Sequence, residues 1–107
     1  MGGLHNDEVI PLVRRFMERV REQYRIELAL LFGSRAREDY LLSSDVDVLL
    51  VSDDFKETPF RRRMADVLAF WNDEVDLEVF CYTADEFLRK KEELGIVRQA
   101  DKEGLRI

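Results

Sequence analysis

Apolar residues recur at helical spacing from the start of the chain: Val9, Val13, Phe16, Met17, Val20 and Tyr24, with charges between them. This period predicts an amphipathic helix ending near Tyr24. Pro11 is expected in its opening turn, where a missing N–H costs little. Ile26 to Phe32 is a short apolar run that suits a buried strand, and Gly33-Ser34 ends it. Arg35 to Glu38 fits a single helical turn, and Asp39 to Ser44 a polar loop. Asp45 to Val51 reads as a second strand. Only about a dozen residues separate the two strands, too few for a crossover helix, so they should pair antiparallel. A second apolar stripe follows at Phe60, Met64, Val67, Leu68 and Trp71. Phe60 and Trp71 read as core, and the Arg61-Arg62-Arg63 run as the solvated side of that helix. Val75 to Tyr82 is a third strand, and the longer connection before it allows a helical crossover and a parallel pair. Thr83 and Glu86 have the spacing of a capping box, opening a helix through about Leu94. Gly95 is a plausible stop, and Ile96 to Asp101 suits a further helix ending at Gly104. Helix, strand, strand, helix, strand, helix gives an α/β (α+β) fold: a small mixed sheet with helices on one face.

At 107 residues a single domain spanning 1–107 is expected. Its 46% hydrophobic content, with seven Phe and one Trp, is enough for a core of its own. The formal net charge of -6 argues against a free-standing binder of duplex nucleic acid, which usually carries a basic face. It is compatible with a nucleotide bound through divalent cations, which bring positive charge to an acidic site. Cys81 is the single cysteine, so no internal disulfide is expected, and a reducing, cytoplasmic setting is the simplest reading. It reads as a small core or edge residue. No stretch approaches the roughly 18 apolar residues of a membrane helix, so no membrane role is expected.

Strand alternation carries the chemistry. Asp45 and Asp47 fall on one face of the second strand, with Val46, Val48 and Leu50 on the other. Asp76 and Glu78 share a face of the third strand, opposite Val75, Leu77 and Val79. Aligned faces would bring three or four carboxylates to one spot. Converging carboxylates repel and raise one another's pKa unless something compensates. A divalent cation is the usual compensation, and hard oxygen ligands suit Mg²⁺ or Mn²⁺. Two such ions can stabilise the attacking and leaving oxygens of an in-line displacement at phosphorus. A remaining carboxylate can take or orient the proton of the attacking hydroxyl. The Gly33-Ser34 turn lets backbone approach a ligand closely. Ser34, at the start of a short helix, can hold a phosphate through its hydroxyl and the free N–H groups. Arg35, with Arg37 close by, adds positive charge for a triphosphate.

Gly33-Ser34, ten residues, then Asp45-Val46-Asp47 form a G-S-x10-D-x-D signature. It resembles the DNA polymerase β-like nucleotidyltransferases, especially the minimal nucleotidyltransferases of archaea and bacteria. The likeness extends over roughly residues 26–51, and the Cys81 to Gly104 tail is also similar to minimal members. The resemblance implies transfer of a nucleoside monophosphate from an NTP to a hydroxyl, with ATP as the favoured donor. It gives Gly33 and Ser34 the triphosphate and Asp45 and Asp47 the two Mg²⁺ ions. The third carboxylate sits on the next core strand, where Asp76 is preferred and Glu78 is the other choice. It also implies a small helical partner, a HEPN-type toxin for which the minimal protein is antitoxin, in some cases by adding AMP to a toxin tyrosine. A homodimer is a further expectation. The alternative reading is a binding module: an antitoxin or adaptor that masks such a partner with little or no catalysis.

Overall fold

The computed structural model describes residues 6–32, 46–73 and 75–107. Among them the order is α1 (Asn6–Gln23), β1 (Leu28–Phe32), β2 (Val46–Val51), α2 (Phe60–Leu68), β3 (Leu77–Tyr82), α3 (Ala84–Lys90), α4 (Ile96–Glu103) and β4 (Leu105–Arg106). A short 3₁₀ helix, Asp53–Glu57, joins β2 to α2, with the Ser52 side chain accepting from the Asp54 N–H at its start. The strands form one sheet in the order β3-β2-β1-β4. β1 and β2 are antiparallel and β2 and β3 parallel, as the connection lengths predict. No helix among the described residues is long and apolar enough to cross a membrane.

β2 is one of the two inner strands, and all six of its residues are buried. Its odd and even positions therefore feed two separate apolar layers. On the first face, Val46, Val48 and Leu50 pack with Ala29, Leu31, Val79 and Cys81 under α1 and α2. The predicted stripe Val9, Val13, Phe16, Met17 and Val20 is the buried side of α1. Trp71 meets Phe16 edge-on at 5.4 Å and donates its indole N–H to the Val75 carbonyl at 2.8 Å. On the second face, Leu30, Phe32, Leu49, Val51 and Tyr82 pack against Phe87 of α3 and Val97 and Ala100 of α4. Helices thus cover more than the one expected face. A strand whose two sides are both apolar needs cover on both, and α3 and α4 supply it over part of the second face.

Three local readings change. Pro11 lies inside α1, past its opening turn, because the helix already begins at Asn6. It sits on the exposed side, where the carbonyl it leaves unbonded can turn to water. Phe60 is 53% exposed, and Met64 is also exposed, so neither belongs to the core. The inward positions of α2 are Arg63 and Val67, and Arg63 is only 5% exposed, so this arginine is not on a solvated face.

Candidate active site

Asp47 is the second residue of β2 and is fully buried. Its strand partners are Phe32 on β1 and Glu78 on β3. Alternation puts Asp47 on the same side of β2 as Leu49 and Val51, and Glu78 on that side of β3. Two acids predicted to share a face therefore stand side by side. Burial, and then the charge of Asp47, push the Glu78 carboxyl above its ordinary value.

Asp76 lies just before β3 and is exposed. Its carbonyl accepts the N–H of Val46 at 3.1 Å, which fastens it to the start of β2. Gly33, Ser34, Arg35, Arg37 and Asp45 lie outside the described residues. Their chain neighbours are described, however: Phe32 precedes Gly33 and pairs with Asp47, and Val46 follows Asp45. Both motif segments are thus attached to the end of the sheet that carries Asp47. Among the described residues, no group of three His, Cys, Asp or Glu is placed to hold a metal ion. Asp47 and Glu78 supply two hard oxygen donors of the kind a divalent cation takes.

One feature escaped the motif reading. Phe80 continues the acid face of β3 two residues beyond Glu78, and its ring meets that of Phe32 at 6.0 Å, tilted by 36°. An aromatic pair therefore spans β2 on the side where Asp47 and Glu78 lie. The signal was present in the alternation Asp76, Glu78, Phe80, but an apolar residue in a strand draws no attention by itself.

Arg63 takes no part in this site. It reaches past β3 to Glu86, with Nη1 2.7 Å from Oε1. Its Nε donates to the Thr58 carbonyl at 2.9 Å and its Nη1 to the Cys81 carbonyl at 3.3 Å. Even-numbered carbonyls of β3 aim at β2, since those of Asp76 and Tyr82 accept from Val46 and Ser52. The Cys81 carbonyl points the other way, to the outer edge of the sheet that the described residues form. Arg63 thereby occupies an edge that would otherwise be open for pairing.

Comparison with known proteins agrees with this geometry. Residues 13–105 match a family model described as a nucleotidyltransferase domain. The chain is also similar to a crystal structure of a Sulfolobus solfataricus protein assigned as a nucleotidyltransferase. The two share 29% identity, with 81% of this chain and 83% of that one covered and a TM-score of 0.51. No curated protein matches the chain. The match runs through both carboxylate-bearing strands and nearly all of the fold, and the chain belongs to the nucleotidyltransferase domain family.

Proposed function

We propose that this transferase moves AMP from ATP to a hydroxyl acceptor, a tyrosine of a small helical HEPN-type partner protein, in the cytoplasm. The observation that carries the reading is the pairing of the fully buried Asp47 with Glu78 at the end of the sheet from which the Gly33-Ser34 segment departs. Asp45, Asp47 and Asp76 would hold Mg²⁺. When bound, Mg²⁺ supplies the charge that offsets the triphosphate and the carboxylates.

The chain's own residues then have separate tasks. Gly33 and Ser34 bind phosphate oxygens through backbone N–H groups and the hydroxyl. Arg35 adds a cation to the same group. The acceptor oxygen bonds to the α-phosphorus as the bond from that phosphorus to the β-phosphate bridging oxygen breaks, and pyrophosphate leaves. Glu78, beside Asp47 on the neighbouring strand, takes the acceptor's proton on its carboxylate oxygen. The test is calorimetric titration of ATP with and without Mg²⁺, on wild type and on Asp45→Asn/Asp47→Asn. Binding that requires both Mg²⁺ and the aspartates supports the reading; binding indifferent to both overturns it.

A further inference from the structure

We infer that Phe80, held by Phe32, is a stacking platform for the nucleobase of the donor nucleotide. The inference rests on the nucleotidyl-transfer reading and adds a subsite to it. The second-face positions of β3 run Asp76, Glu78, Phe80, Tyr82, and their cover increases along the strand. Asp76 is exposed, Glu78 and Phe80 are partly exposed, and Tyr82 is buried. Tyr82 belongs to the layer closed by Phe87 of α3. Phe80 is therefore the partly exposed aromatic residue between the covered apolar layer and the acids.

Beside Glu78 and Phe80 the neighbouring strands are covered. On the same face Leu30 and Phe32 of β1, and Leu49 and Val51 of β2, are all buried. At the acid end of this face the partly exposed positions lie on β3, where the acids and Phe80 follow one another; Leu28 of β1, at the opposite end, is also partly exposed. Phe80 is two residues from Glu78, about 7 Å along a strand. That separation is within the reach of a nucleoside whose phosphates lie at the carboxylates. The Phe32 ring, itself buried, meets Phe80 at 6.0 Å and restrains it. A restrained ring loses less freedom on binding than a free one.

Stacking on a phenylalanine face needs no hydrogen-bond readout, because every base has a π-face. The platform should therefore favour larger rings, purine over pyrimidine, without strict choice of base. A nucleobase is favoured over an acceptor's aromatic ring because the donor's phosphates fix its base close to the acids in every cycle.

The test compares Mg·ATP with Mg·tripolyphosphate, which has the phosphates and no base, by calorimetry on wild type, Phe80→Leu and Phe80→Tyr. Wild type should bind ATP more tightly than tripolyphosphate. Phe80→Leu should weaken ATP by roughly 5- to 150-fold, the range of one base–aromatic stack, and leave tripolyphosphate unchanged. Phe80→Tyr, which keeps the ring, should retain the ATP affinity. A nuclear Overhauser contact between adenine H2 and the Phe80 ring is also expected. Equal binding of ATP and tripolyphosphate by wild type overturns this inference and leaves the phosphate site standing. An equal loss of both ligands in Phe80→Leu, or an effect on the acceptor's KM alone, also overturns it. If neither ligand binds wild type, this inference and the functional reading fall together.

Discussion

Glu78 stands opposite Asp47 across the parallel ladder of β2 and β3. Burial, and then the Asp47 charge, raise the Glu78 carboxyl, so its ionised form works against the fold. That penalty is absent below the unfolded pKa, near pH 4, and develops as pH rises through the raised folded value. Glu78→Gln should match wild type in urea at low pH in metal-free buffer. At neutral pH it should be more stable, by less than about 1 kcal/mol because water screens a partly exposed group. Transfer activity should fall in the same variant. A stability gain that persists unchanged at low pH would show another origin.

Arg63 and Glu86 form the ion pair that ties α2 to the cap of α3. Burial acts to raise the Glu86 carboxyl, but hydrogen bonds from Arg63 and from the Thr83 N–H outweigh it and hold the group below its ordinary value. Its contribution is complete above the unfolded pKa and is lost as pH falls through the lowered folded one. Arg63→Met should cost about 3 kcal/mol in urea unfolding, since it strands a carboxylate and frees the Cys81 carbonyl at the sheet edge. Arg63→Met/Glu86→Gln should recover part of that loss. Both variants should show a flatter dependence of stability on acid pH than wild type.

Cys81 should be chemically silent in the native protein. Burial is the main influence that pushes its thiol up to about 12, with the Arg63 guanidinium acting against it and Asp66 with it. The thiolate is the reactive form, and little of it exists at neutral pH. Labelling with a thiol reagent should be slow in native buffer and rise with urea along the unfolding transition. Rapid native labelling would mean that the β3 edge opens locally.

Gly104 is the point where the end of α4 meets β1. A Cβ there would lie 2.5 Å from the Ala100 carbonyl oxygen and 3.0 Å from the Leu30 Cβ. Gly104→Ala should therefore destabilise the fold by about 1–3 kcal/mol, the cost of overpacking, read as a lower urea midpoint. Its distance in sequence from the acids makes ATP affinity the control, which should stay unchanged.

What the residue pattern made legible was whatever depends on local period or a short motif. Alternation put Asp47 and Glu78 on one face, and the strands' pairing then set them opposite each other. Thr83 and Glu86 showed their cap in the letters alone, and both hydrogen bonds of the box are present. Arg63 was not legible, because a helical period assigns arginine outward, whereas the partner that lets it turn inward lies on a different element. Phe60 is the converse: its exposed ring rests on Tyr82 at 5.4 Å, a contact no helical wheel contains. The two-residue β4 was too short to leave a period, and it exists through its pairing with Leu30 and Leu31. Gly33, Ser34, Arg35 and Asp45 rest on the motif and lie outside the described residues.

Because β2 and β3 run parallel, the chain must pass through α2 before the two acids can meet. β1 and β2 pair as sequential antiparallel neighbours, whereas the β2–β3 ladder closes a much longer stretch of chain. Closing longer loops costs more entropy, and non-local pairings are slow to form. A newly made chain can therefore assemble much of its first layer without facing the repulsion between Asp47 and Glu78. That repulsion arises only as the β2–β3 ladder zips. A chain in which that ladder has not formed has only half of the acid pair, so the capacity to work on a nucleotide waits on the pairing of β2 with β3.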